Sequence, residues 1–506
     1  MVMKATRKLV VTTASGDIRG VHENGVRVFR GVPYAAPPVG TLRFMPPQPV
    51  PRWQGVRDAI ADGPIAPQGR SRLAHVMGDF ERPQSEDCLT LNIWTPGNVV
   101  ESSQCPVLVW LHGGAFSSGA GSLPWYSGER FAADGVVVAS INYRLGALGF
   151  LCLPGVSDGN LGLLDQAAAL RWVRENAGAF GGDPHNVTVV GQSAGAISIA
   201  AHMTMPSSSA LFRRAILQSA PVGRRSRTLD DAHRVGKRFL DILGFKTEEA
   251  ERLKTVPIAR LVAAQGELGR LEKKFADVNP PFGLVIDGRV IPTDIMRSLK
   301  AGSAPEIDVM IGTTREEVMA FFSADREVQN ADTPAVLGVF ETVFKSEHRD
   351  YYEEFRRMRA SGSSADLLGD LFTEQVFQSG SLRMAEWRAE HGRPAYVFQF
   401  DWQSPAGFES CHCLEIPFVF DNLADWQESP MLKGADPRET AGLAEAMHKA
   451  WIAFARNGNP DHDGLPHWPP YRREDRMTMR FDKLIGPVSD LAGLKWRRPW
   501  PSILES

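Results

Sequence analysis

The stretch "NVTVVGQSAGAISIAA", residues 186–201, decides the fold. It opens with the apolar run Val187-Thr188-Val189-Val190, which reads as a buried strand. It closes with small residues at helical spacing, 194–203, which read as a helix. Between them stands Gly191-Gln192-Ser193-Ala194-Gly195. A sharp strand-to-helix turn lifts a serine side chain off the end of a sheet and aims the next helix's N-terminus at a developing oxyanion. Small residues two before and two after the serine let strand and helix approach. A second G-x-S-x-G, Gly155–Gly159 around Ser157, lacks this setting. Pro154 precedes it, "SDGN" is turn chemistry, and Asp158 would set a negative charge beside an incipient alkoxide. Ser193 is therefore the candidate nucleophile and Ser157 a loop residue.

Further runs repeat the alternation. "PVLVWLHGGAF" (106–116), "VVVASINYRLG" (136–146), "RAILQSA" (214–220), "EIDVMIGTT" (306–314) and "AYVFQFDW" (395–402) have strand character. "LLDQAAALRWVRENAGAF" (163–180) and "LAEAMHKAWIAFARNGNP" (443–460) are helical, stopped by Gly181-Gly182 and by Gly458 with Pro460. Strands alternating with helices imply an α/β fold with a mostly parallel central sheet covered on both faces. The region from about 226 to 390 is charged and mostly helical and reads as insertion. The expected organisation is one domain over 1–506, its core about 1–225, 283–320 and 390–506, with helical insertions about 226–282 and 321–389 over the site. The proline-rich stretch 33–51 reads as a rigid loop packed on the body through Tyr34, Leu42, Phe44 and Met45.

Composition narrows the function classes. The net charge is −3 with Lys and Arg scattered, which offers no nucleic-acid footprint. No apolar run reaches the roughly 18 residues of a membrane span. Lys4, Arg7 and Lys8 precede too short an apolar segment for a secretory leader, so a cytoplasmic location is expected. The five cysteines are too few and of the wrong parity for a disulfide scaffold and read as free thiols. "CHC" (411–413) has no companion ligand pair, and "PDHDGLPH" (460–467) reads as a polar turn, so no metal is expected.

An activated serine needs donors for the oxyanion. "HGGAF" (112–116) follows a strand earlier in the chain, and its glycines let backbone N–H groups turn inward. Gly114, Ala115 and Ala194 are the candidate donors, with Gly113 shaping the turn. Chain order in such a site is serine, acid, histidine. Spacing does not choose among the carboxylates after Ser193, but the expected place, a short loop after a strand, leaves Glu316 and Glu317 after "VMIGTT", with Glu316 otherwise a solvated loop carboxylate.

Through these motifs the chain resembles the type-B carboxylesterases of the α/β-hydrolase superfamily, most closely the bacterial p-nitrobenzyl esterase-like enzymes. The likeness runs through "FRGVPYAAPPVGTLRF" (29–44), "SEDCLTLNIWTP" (85–96), "LVWLHGGAFSSGAGS" (108–122), "INYRLGALGFL" (141–151), 159–198, "GLVIDGRVIP" (283–292), "IGTTREE" (311–317), "CLEIPFVF" (413–420) and "WIAFARNGNP" (451–460). The resemblance implies Glu317 as the acid and His412 as the base. The other histidines after Ser193 lie in helices or in turns without catalytic context. Cys411 and Cys413 then become small wall residues. The resemblance also implies structural ion pairs Arg43–Glu86 and Arg144–Asp165, and a reaction that needs no cofactor.

The expected function is hydrolysis of neutral carboxylic esters through an acyl-enzyme on Ser193. The alternatives are a neuroligin-like binding protein, which would have lost the nucleophile, and a lipase, which would want an apolar lid where residues 61–87 are polar. No transmembrane stalk is expected after residue 506, which speaks against the binding-protein alternative. The cholinesterase branch binds cations with a tryptophan before "EDCL" and a glutamate before the serine. Here 54–87 contains no Trp, and Gln192 stands where most of the family has Glu. The expected partner is a small ester, with neither nucleic acid nor membrane, and a monomer is compatible with the sequence.

Overall fold

A computed structural model describes residues 9–491, so Lys4, Arg7 and Lys8 lie outside the described residues. Eleven strands make the main sheet: β1 Val21–Glu23, β2 Val26–Pro33, β3 Thr90–Pro96, β4 Cys105–Leu111, β5 Val137–Ile141, β6 Gly182–Gln192, β7 Arg214–Gln218, β8 Asp308–Thr314, β9 Tyr396–Phe400, β10 Thr478–Phe481 and β11 Gly486–Val488. Their order is β11-β10-β9-β8-β7-β6-β4-β5-β3-β2-β1. The run from β10 to β5 is parallel throughout, and β3 turns antiparallel against β5. A small separate sheet joins Val10–Thr13, Gly16–Arg19 and Val56–Asp58.

The strand side chains explain why both faces are covered. Along β4, Val107, Val109 and Leu111 enter one apolar core, while Leu108 and Trp110 enter another. That is the two-residue period of a strand buried on both sides. Helices α1 Leu161–Asn176 and α2 Ala194–Thr204 close the first core with Leu163, Leu170, Ile199 and Met203. The later helices α3 Leu229–Ile242 and α4 Ile258–Glu272 join the same core through Phe239 and Leu261. So does α5, Ser379–Glu390, through Met384 and Trp387. Helix α6, Pro437–Asn457, closes the second core with Met447, Trp451 and Phe454, and ends at Gly458, whose φ of 83° is the left-handed cap.

The helices Thr333–Phe344, His348–Met358 and Ser364–Phe372 bury Phe340, Phe355 and Leu368 in a third cluster of their own. These helices thus carry a small satellite core of their own beside the main one.

Ser157 is not in a plain turn. It pairs with Leu153 in a two-residue antiparallel ladder and is buried, its Oγ accepting the Gly159 N–H at 3.2 Å. Of the proline-loop anchors, Tyr34 and Phe44 are buried, but Met45 is 44% exposed. Both ion pairs form: Arg43 Nε to Glu86 at 2.6 Å and Arg144 Nη2 to Asp165 at 2.7 Å. All five cysteines are free.

Candidate active site

Strand β6 ends at Gln192, α2 begins at Ala194, and Ser193 is the whole connection. Ser193 has φ 56° and ψ −119°, a backbone that L residues rarely adopt, and holds it because both flanks are fixed. The glycines leave no other choice of residue. A Cβ on Gly195 would stand 2.0 Å from the Leu111 carbonyl oxygen, and one on Gly191 2.8 Å from the Gly195 carbonyl carbon. The Ser193 N–H donates to Gln218 O at 2.9 Å, which ties the elbow to β7. The Ser193 Oγ makes no hydrogen bond among the described residues and faces a cavity.

The loop after β4 faces the same cavity. Gly114 has φ 106°, and Ala115 and Phe116 have φ 54° and 58°. This run of left-handed backbone turns the carbonyls away: Gly114 O accepts the N–H groups of Ser117 and Ser118, each at 3.0 Å. The N–H groups of Gly114 and Ala115 donate to no acceptor among the described residues. Ala194, the first residue of α2, has no acceptor within its helix. Gly113, Gly114, Ala115 and Ser193 line one cavity of about 730 Å³.

Glu317 and His412 meet behind this loop. Glu317 Oε2 lies 2.5 Å from His412 Nδ1, its Oε1 accepts the Thr314 N–H at 2.9 Å, and its carbonyl accepts the His412 N–H at 3.2 Å. The two side chains are 0% and 1% exposed, so the contact is dry. Phe321 and Phe377 pack on the imidazole, with centroids 5.4 and 5.1 Å away. With Nδ1–H given to Glu317, Nε2 carries the lone pair. The Gln192 amide nitrogen is 3.1 Å from Nε2 and donates to it. The predicted acid and base are thus joined, and the predicted nucleophile stands beside them without bonding to either.

Glu316 departs from the expected solvated carboxylate. It is 3% exposed, accepts the Ser410 N–H at 3.1 Å, and pairs with Arg315 at 2.9 Å. Burial pushes its carboxyl up to about 7. The segment 401–410 covers it, which adjacent charges in a sequence do not reveal. A second buried carboxyl escaped the sequence reading. Glu415 accepts from Gln218 Nε2 at 3.0 Å, and burial together with the nearby Glu317 charge pushes it up to about 8. Gln192, inside the elbow motif, turns its amide to His412, and Arg72 reaches the cavity from a segment that carries no motif for it.

Among the described residues no cluster of metal-ligating side chains occurs. Cys413 lines the cavity and Cys411 is core.

The carboxylesterase family model matches residues 7–488. Among curated relatives, the phenmedipham hydrolase of Pseudarthrobacter oxydans is 42% identical over 94% of this chain and 95% of its own length. The para-nitrobenzyl esterase of Bacillus subtilis is 38% identical over 97% of this chain and 99% of its own. Among solved structures, a carboxylesterase of Geobacillus stearothermophilus superposes with a TM-score of 0.87 at 37% identity, covering 97% of this chain and 100% of that one.

Proposed function

This chain belongs to the carboxylesterase family and is a serine carboxylesterase with the α/β-hydrolase fold, and from that premise we propose how its own residues divide the work. Ser193 is the nucleophile, His412 the general base and acid, and Glu317 the group that fixes the imidazole. The observation that carries this reading is the buried 2.5 Å contact of Glu317 with His412, next to a serine held at φ 56°.

The cycle begins when substrate enters and His412 Nε2 exchanges the Gln192 amide for the Ser193 hydroxyl. Nε2 takes the Oγ proton as Oγ bonds to the ester carbonyl carbon. The carbonyl π pair moves onto oxygen, and the N–H groups of Gly114, Ala115 and Ala194 receive it. The Ser193 N–H is not among these donors, being spent on Gln218. Losing one such donor costs about 10²–10³ in rate. The C–O bond to the alcohol breaks, and the alcohol oxygen takes the proton from His412. Water then attacks the acyl-enzyme under the same base and releases the acid. Glu317 stabilises the imidazolium and never needs to accept the proton.

The reading includes one domain, with insertions about 226–282 and 321–389 furnishing cavity walls. All reacting groups come from one chain, so a monomer suffices. Five free cysteines favour a cytoplasmic location. No described helix is long and apolar enough to cross a membrane. Neutral esters are substrates on this account, and cations lining the cavity disfavour a quaternary ammonium.

The test is a panel of p-nitrophenyl esters from acetate to palmitate, run beside Ser193→Ala. Turnover of short and medium chains by wild type, and its loss in the variant, supports the assignment. Equal turnover by both proteins refutes it.

A further inference from the structure

The cavity lining is unevenly charged. It carries Arg70, Arg72, Arg270, Lys273 and Arg326 against Asp277, Asp325 and Glu327. Lys273 is held by Asp325 at 2.8 Å and Arg70 by Asp79 at 2.7 Å, while Arg270 pairs with Glu267. Arg72 is different. Its Nη1 makes one hydrogen bond, to the Val278 carbonyl at 3.3 Å, and no carboxylate among the described residues lies within 4.0 Å of it. Asp277 and Asp325 both lie in its field, but Asp325 is held by Lys273, and Asp277 also faces Arg224 and Arg227, with its Oδ1 taken up by Asn279.

Arg72 is exposed on the cavity wall with protein packed along its side chain, so its charge meets a ligand in the cavity at short range. Its guanidinium carbon stands 5.8 Å from the Phe321 ring, and that ring packs on His412 at 5.4 Å. One phenyl ring therefore separates an arginine with most of its N–H donors unused from the base of the reaction. A carboxylate a few bonds from a scissile ester would meet it. Arginine presents a planar donor fork that matches a carboxylate.

We propose that Arg72 is a specificity-determining residue that receives a carboxylate carried by the substrate. The enzyme on this view hydrolyses carboxylate-bearing esters in addition to neutral ones. The proposal rests on the esterase reading above and names a substrate class for the same site.

The experiment compares matched pairs differing in that charge. On the acyl side the pair is p-nitrophenyl hemiadipate and p-nitrophenyl hexanoate; on the alcohol side it is 4-carboxyphenyl acetate and phenyl acetate. Wild type, Arg72→Gln and Arg72→Lys are assayed on all four. Arg72→Gln is expected to lose roughly 10-fold or more in kcat/KM on the charged member of at least one pair, mainly through KM, and to lose far less on its neutral partner. Arg72→Lys should restore part of the loss, and added salt should raise the wild-type KM for the charged ester alone. The pair that responds identifies the side of the ester that carries the charge. Equal effects of Arg72→Gln on charged and neutral esters in both pairs would overturn the proposal, as would wild-type failure to hydrolyse either charged ester. Failure on all four substrates would instead count against the esterase assignment itself.

Discussion

Glu317 Oε2 lies 2.5 Å from His412 Nδ1 in a dry contact that joins positions 95 residues apart in sequence. Its neighbour Glu316 turns the other way, to Ser410. Adjacent carboxylates that are both buried have opposite destinations, and only one reaches the imidazole.

That difference is measurable. Glu317→Gln keeps the shape but offers His412 an amide in place of a carboxylate, and kcat should fall by about 10⁴, as for the equivalent change in a serine protease. Glu316→Gln should stay within a few-fold of wild type on p-nitrophenyl butyrate. The opposite ranking would mean that Glu316 is the partner.

Gln192 donates to His412 Nε2, the nitrogen that accepts the serine proton in the proposed mechanism. In Gln192→Glu, a carboxylate replaces that donor and favours the charged imidazolium. The acid limb of the kcat/KM profile should therefore move to higher pH, with kcat on the plateau changed less than the limb. An unmoved limb would show that the contact has no part in the working enzyme.

The backbone of the elbow gives a steric test. Gly195→Ala puts a methyl group about where Leu111 O stands, since the added Cβ falls 2.0 Å from it. Gly114→Ala does the same against Ser118 O, at 1.9 Å and at φ 106°. Both variants should lose at least about 10²-fold in kcat. Gly178→Ala, where nothing lies within 4 Å of the new Cβ, should be silent.

Glu415 supplies a pH prediction for stability. Its carboxyl is raised from an ordinary 4.5 to about 8 by burial and by Glu317. Between those values the folded state holds a proton that the unfolded state has released, so stability is lost as pH rises through this window. Glu415→Gln removes the titration. The Tm difference, variant minus wild type, should grow more positive from about pH 5 to pH 9. A difference that is flat or falls with pH would contradict the assignment.

The sequence carried the elbow, the glycine loop and the parallel sheet because each is local. A strand period of two changes to a helix period around Ser193, and "HGGAF" follows its own strand. Choosing between Glu316 and Glu317 needed the direction of two side chains, which spacing does not encode. The burial of Glu316 depends on segment 401–410, and the contact of Gln192 with His412 spans 220 residues. Arg72 enters the cavity from a segment with no catalytic motif, where a charged side chain reads as an ordinary solvated one.

The central claim is that Ser193 carries the acyl group. Incubation with a fluorophosphonate, followed by intact mass and peptide mapping, tests it most directly. One adduct on the peptide containing Ser193 is expected, absent in Ser193→Ala and unchanged in Ser157→Ala. An adduct of wild-type yield on the Ser193→Ala protein would contradict the account.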